Sequence, residues 1–298
     1  MLKEEALKDF YSLAEYLERE GKLKNLEKYK QDFSAFLNHA DHLAGYNFIL
    51  PFCIGKKVLD VGCFLGHGET ILARHAKEIV AIDSDDKALE VAAKRGISGN
   101  VEFEKVDARC LPFSNETFDV AVAFHLIEHI PPEEVNGFLC QVKRVLKHGG
   151  LLFIITPNRK FRLLPFQRPF NPEHYQEFTA KTFLKTLRTV FDEVEIKGVR
   201  GSIWIEQIER KRVRQSPYQV YIRTPIFRFL RAALPAGIKA LLKKYKGKIA
   251  KLSQPKDELS DNGSEFNSLF QKFSMDVFSL EERMLDKSMS LFAICKKM

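Results

Sequence analysis

At 298 residues with 45% hydrophobic content, the chain can bury a sizeable core and is not disordered. Its longest apolar runs fall far short of a membrane span, and the charged helix formers at its N-terminus contain no signal-peptide core. The formal charge of +8 is uneven: residues 200–256 hold 15 Lys and Arg against two glutamates, which leaves the rest of the chain slightly acidic. An anionic partner must therefore be sought in that segment and not in the core.

In chain order, Leu2, Ala6, Phe10, Leu13, Ala14 and Leu17 share one helical face, and Gly21 stops it. A second helix is expected over Leu26–Leu37 and a third from Asp41, delivering the chain to a first strand. From Lys57 to Thr156 apolar strands alternate with helices: strands at Val58–Val61, Ile79–Ile82, Val101–Lys105, Phe118–Phe124 and Leu151–Thr156, helices notably at Asp86–Arg95 and Glu133–Leu146. That alternation predicts a parallel sheet with helices on both faces. Ligands in such sheets sit beyond the carboxyl ends of the strands. Asp60, Asp83, Asp107 and His125 all fall at those ends. The first strand opens into a glycine-rich turn, Gly62-Cys63-Phe64-Leu65-Gly66-His67-Gly68, where backbone N–H groups can approach a ligand closely. Glycine spacing alone also serves dinucleotide sites. Asp83, about 20 residues past the first glycine, suits a ribose diol.

Residues 40–200 resemble a class I S-adenosylmethionine-dependent methyltransferase of the small-molecule and sugar-modifying type. The resemblance is carried by the glycine loop, Asp83, Asp107-Ala108, Thr117-Phe118-Asp119-Val120 and His148-Gly149-Gly150, which come in the family's order and spacing. It implies an α/β, Rossmann-like, seven-stranded and mostly parallel sheet, and an enzyme that uses S-adenosylmethionine. It also implies a cofactor set of Asp60, Gly62, Gly66, Gly68, Asp83, Asp107, Ala108 and His125. The backbone of the loop would carry the amino-acid end, Asp83 the ribose hydroxyls (its alternative being a helix N-cap), and Asp107 with Ala108 the adenine edge. The family's pattern is Asp-x-Gly-x-Gly-x-Gly, and Phe64 stands at the middle glycine.

The string His125-Leu126-Ile127-Glu128-His129 matches an inverted zinc-peptidase motif, which needs a helix. Here it follows a buried strand, and Pro131-Pro132 stop any helix, so no metal is expected. In the family this loop borders both methyl donor and acceptor. His129 is then a candidate general base, with Glu128 beside it; the alternative is that both only fix the loop. After strand five, Thr179 is expected to cap a helix over Ala180–Val190, and by resemblance His174 and Tyr175 line the acceptor pocket, the alternative being a capping turn. His174 is the next candidate for the base. The five scattered cysteines, Cys53, Cys63, Cys110, Cys140 and Cys295, read as reduced thiols of a cytoplasmic protein.

Val194–Val199 reads as strand six and Ser290–Cys295 as strand seven, an antiparallel pair in the family. The expected organisation is an N-terminal helical cap (1–50), the methyltransferase core (51–200), a basic helical insertion (201–288) and the last strand (289–298). Within the insertion, Ile238, Leu241, Leu242, Tyr245, Ile249 and Leu252 form an apolar stripe at helical spacing, flanked by lysines. That composition suits an anionic membrane interface over 225–252, at the inner face of the membrane. It also suits a lid that packs on the acceptor pocket or on a second copy in a homodimer, a reading that Gly247 favours by weakening an isolated helix. The favoured reading is methylation, by preference at oxygen, of a small-molecule or lipid-linked saccharide acceptor. The alternatives are a nucleic-acid methyltransferase, disfavoured because the loop after strand four lacks an Asn/Asp-Pro-Pro-aromatic signature, and an inactive interaction protein on the same scaffold.

Overall fold

Five apolar segments become neighbouring parallel strands in the computed structural model, which describes residues 33–97, 99–169, 171–201, 206, 210 and 278–298. They are β1 (Lys57–Val61), β2 (Glu78–Asp83), β3 (Val101–Lys105), β4 (Phe118–Phe124) and β5 (Leu146–Pro157). Three further strands follow: β6 (Glu193–Gly201), β7 (Phe278–Glu281) and β8 (Ser290–Lys296). The sheet order is β3-β2-β1-β4-β5-β8-β6-β7. β8 runs antiparallel between β5 and β6, as the reading of strands six and seven requires.

Alternation along each strand divides the core. Val58, Ile79, Val120, Val122 and Phe153 face one layer, which includes helices α1 (Phe33–Cys53) and α2 (His67–Leu72). Leu59, Val61, Ala121, Leu152 and Ile154 face the other, where α4 (Val135–Val145) and α6 (Ala180–Leu187) pack. Covering both faces is what permits near-continuous apolar strands. The remaining helices are α3 (Asp86–Ala93) and the short α5 (Arg159–Arg162).

Four features depart from the sequence reading. The sheet has eight strands, because β7 adds to β6 at the edge, inside the stretch expected to be helical. No break separates a helix ending at Leu37 from one starting at Asp41, since α1 runs unbroken from Phe33 to Cys53, past the expected boundary at residue 50. Asp41 lies within that helix, and its carboxylate accepts a hydrogen bond from Ser290 Oγ at 2.9 Å. β5 begins five residues early, with His148-Gly149-Gly150 forming an irregularity inside the strand, so the register against β4 shifts between Phe118 and Val120. The helix after Thr179 ends at Leu187 and not at Val190, although Thr179 caps it as expected, in a reciprocal box with Thr182. The expected helices over residues 2–17 and 225–252 lie outside the described residues.

Gly68 shows how tightly α2 seats against α1. A Cβ there would stand 2.1 Å from the buried ring of Tyr46. Gly68→Ala is expected to lower stability by about 1–3 kcal/mol, the usual penalty of overpacking, as measured by urea unfolding.

Candidate active site at the carboxyl rim of the sheet

The turn after β1 is built by backbone conformations that L-residues avoid. Gly62 and Gly66 have φ of 82° and 76°, and between them Phe64 has φ of 48°. Phe64 thus adopts the left-handed conformation in which the family's motif uses glycine, at a strain on the order of 1–2 kcal/mol. The Phe64 N–H donates to Asp83 Oδ2 at 2.9 Å, and the Asp85 N–H donates to Asp83 Oδ1 at 2.9 Å. The N-cap of α3 is Asp85, which accepts from the Lys87 N–H. Asp83 is therefore free of capping and ties the glycine loop to the end of β2. An ionised carboxylate offers about four lone-pair sites. Two remain for hydroxyl donors.

Asp83 opens onto a cavity of about 330 Å³ lined also by Gly62, Asp107, Ala108, Leu126, His129 and Tyr175. Four of the eight residues read as cofactor ligands, Gly62, Asp83, Asp107 and Ala108, are brought together here. Gly66 and Gly68 are not among them. A Cβ on Gly66 would meet Ala92 of α3 at 2.8 Å, so its bareness, like that of Gly68, serves helix packing. Asp107 accepts from Arg109 through the backbone N–H (2.9 Å) and the guanidinium (2.6 Å to Oδ2). The Arg109 hydrogen bonds hold its carboxyl below the usual range.

Asp60 lies beneath the loop, fully buried, and accepts from the Tyr46 hydroxyl at 2.8 Å. Its other oxygen and both carboxyl oxygens of the equally buried Glu69 have no N–H or O–H donor. A proton on Glu69 would let one of its oxygens donate to the undonated oxygen of Asp60. Burial, followed by the charge of Asp60, pushes the Glu69 carboxyl well up. Burial also raises Asp60, against the opposing hydrogen bonds of Glu69 and Tyr46. Carboxyls that hold protons more tightly when folded favour the folded state at low pH. Their contribution falls as pH rises from the ordinary carboxylate range through the raised folded values. Glu69→Gln keeps an N–H donor for Asp60 and removes one titration. It is expected to flatten the loss of stability as pH rises above the ordinary carboxylate range. Parallel stability–pH curves for the two proteins would count against a shared proton.

A second cavity, of about 630 Å³, adjoins the first. It draws Asp41 and His42 from α1, Phe64 from the glycine loop, His125, Glu128 and His129 from the turn after β4, Arg162 from α5, His174, and Ser290 from β8. His129 lines both cavities. Of the adjacent pair His174 and Tyr175, the first lines this cavity and the second lines the smaller one.

His125 belongs to this larger cavity and not to the smaller one with Asp83. It too has a left-handed backbone, with φ of 53°. Its ring stacks on His42 at 5.4 Å and lies 3.6 Å from Asp41 Oδ2 and from Glu128 Oε1. Those separations are charge contacts, too long for hydrogen bonds. Burial works against a charged ring, but Glu128 and Asp41 outweigh it and hold the imidazole above its ordinary range. Glu128 is fully buried, which raises its carboxyl, yet His125 brings it below the ordinary range. Its Oε2 accepts from Thr156 Oγ1 at 3.0 Å. Burial holds the half-buried His129 below the ordinary imidazole range. The turn Ile127–His129 is three residues of 3₁₀ helix, so the zinc-peptidase string has no helix to present it.

Asp41, His42, Arg162 and Ser290 were not read as site residues. Two sit in α1, one ends α5 and one opens the last strand, so only tertiary packing brings them to the rim.

Fold and rim together define a Rossmann-like sheet with a carboxylate-marked cavity at its carboxyl rim and a second cavity adjoining it. Residues 59–154 match the family model of a methyltransferase domain, and the fold is that of a solved S-adenosylmethionine-dependent methyltransferase. It is 34% identical over 139 residues to a probable S-adenosylmethionine-dependent methyltransferase of Mycobacterium tuberculosis, covering 47% of this chain and 49% of that one. It is 30% identical over 112 residues to the ubiquinone biosynthesis O-methyltransferase of Mesorhizobium japonicum, covering 37% of this chain and 44% of that one. The chain thus spans about half the length of the curated relatives it matches. A solved structure from Thermotoga maritima, described as an S-adenosylmethionine-dependent methyltransferase and possible histamine N-methyltransferase, superposes with a TM-score of 0.53. It is 14% identical over 92% of this chain and 97% of that one, a likeness of fold.

Proposed function

We propose that this protein transfers a methyl group from S-adenosylmethionine to a hydroxyl of a small-molecule or lipid-linked saccharide acceptor. The observation that carries the reading is that His129 lines both cavities, so one imidazole borders the space for donor and the space for acceptor. The bound cofactor supplies an electrophilic methyl group on a sulfonium sulfur. Asp83 would hold its ribose diol, Gly62 would let the backbone approach it, and Asp107 with Ala108 would border the adenine. In the larger cavity His129 would take the hydroxyl proton, with His174 next to it, their rings 4.7 Å apart in a T-shaped contact. Most of the rate would come from alignment of donor and acceptor across the shared wall. The similarity to an enzyme named as an O-methyltransferase supports oxygen as the methyl acceptor.

A screen with methyl-labelled donor against cell-extract fractions tests this reading. Label is expected in lipid or saccharide fractions, as an ether. Label confined to nucleic acid or protein would overturn it. The lysine-rich stretch 225–252, outside the described residues, would bring the cavity to an anionic surface. Vesicle binding at low salt that disappears at high salt is the expected result for that part. Among the described residues no helix is long and apolar enough to cross a membrane.

A further inference from the structure

We propose that Glu128, His129 and His174 form a binding site for a divalent transition-metal ion in the wall of the larger cavity. One ligand atom from each residue lies within 4.8 Å of the other two. Donors about 2.0–2.2 Å from an ion stand at most about 4.4 Å apart, so small rotamer adjustments close the site. Two imidazoles and one carboxylate grouped on one side of an ion form a recurrent donor set for first-row divalent metals, and they leave positions open for a ligand.

Two further observations point to a ligand here. The first is Glu128 Oε1, a fully buried carboxylate oxygen without an N–H or O–H donor, while Oε2 is fixed by Thr156 Oγ1 at 3.0 Å. The second is the setting of His174. Its Nδ1 lies 3.2 Å from Oε1 of Glu177, whose side chain is fully buried. A carboxylate on one ring nitrogen fixes the tautomer and ring orientation and turns the other nitrogen toward a metal, the usual arrangement around metal-bound histidine. Glu177 is then a positioning residue. A structural role for the pair explains the hydrogen bond but not why a second imidazole and a buried carboxylate gather beside it; the nearest ring nitrogen to Glu128 Oε1, His125 Nδ1, stands 3.6 Å away, beyond hydrogen-bond range.

The site differs from the rejected peptidase reading, since it omits His125 and takes its third donor from a segment 45 residues further on. With three protein donors, an octahedral ion retains about three positions, enough for two oxygens of one acceptor. The acceptor class this selects is a hydroxyl with a neighbouring hydroxyl or carbonyl oxygen. An ion here would engage the lone pair of His129 and take over from it the activation of the acceptor hydroxyl; that task rests on the function proposed above, and the existence of the metal site does not.

The test uses the full chain after treatment with EDTA. Titration calorimetry with Zn²⁺ and Mn²⁺, and the visible absorption of added Co²⁺, should show one ion per chain. Binding should be lost in His174→Ala and in Glu128→Gln, and weakened about 10- to 100-fold in Glu177→Gln. Far-ultraviolet circular dichroism and a cooperative thermal transition, read in parallel with binding of the demethylated cofactor, report that each variant is folded. Where one variant fails that check, the other two decide. No binding of any of the three ions, or equal binding by wild type and all folded variants, would overturn the site and leave His129 as the base. Metal binding without binding of the demethylated cofactor would uphold the site and overturn the methyl-transfer reading.

Discussion

His129→Ala is expected to lower turnover on the physiological acceptor by roughly 10²–10⁴-fold while cofactor affinity stays within a few-fold of wild type. The size follows from position. The residue lines both cavities and sits on a three-residue turn, held by its own N–H to Leu126 O at 2.9 Å. Truncation removes the imidazole without disturbing the strand below. Steady-state kinetics together with calorimetry on the demethylated cofactor separate the two effects. Full turnover by the variant would remove His129 from the chemistry and make His174 the next residue to replace. A fall in turnover with equal loss of cofactor binding would mean that the turn had collapsed.

Asp83→Ala should act on the other half of the reaction. Loss of a charged acceptor costs on the order of 1.5–3 kcal/mol, which is roughly 10- to 150-fold in cofactor affinity. The structure adds a second loss. Asp83 also receives the Phe64 and Asp85 N–H groups, so alanine releases the glycine loop from β2. Asp83→Asn keeps one oxygen acceptor and should retain more of the loop's order than of the affinity. Unchanged affinity in the alanine variant, measured by calorimetry, would exclude Asp83 from the ribose site. Phe64→Gly gives a companion measurement: similar affinity in that variant would show that an aromatic at left-handed φ is compatible with the loop's work.

The core of the fold was readable because its signals are local. Val58–Val61, Phe118–Phe124 and Leu152–Ile155 are apolar runs that only a sheet covered on both faces can hide, and Asp83 announces its end of strand by being charged. β7 escaped because Phe278-Ser279-Leu280-Glu281 is four residues whose pairing with β6 is entirely tertiary. The unbroken α1 escaped because Asp41 resembles a helix start until its partner, Ser290, is known to lie across the fold. In the site, residues at strand ends could be placed by periodicity. Glu69 was readable only as a polar neighbour of the loop; its burial against Asp60 depends on α2 packing over β1. The cavity-lining of His42 and Arg162, and the Glu177 contact to His174, come from segments whose sequence carries no periodic mark of a site.

The position of β8 bears on how the molecule is made. It pairs Leu151 with Lys296 on one side and Glu193 with Lys296 on the other, so β5 and β6 meet only through it. During synthesis the chain through residue 201 emerges with five strands able to associate while β6 has no neighbour to join. Both keep open hydrogen-bonding edges until a segment some 90 residues later is delivered. Closing so long a loop late makes pairing slow and leaves a window for wrong partners. A ribosome-stalled intermediate ending before Ser290 should therefore be a protease-sensitive chaperone client, and release of the last strand should convert it to the resistant form in one step.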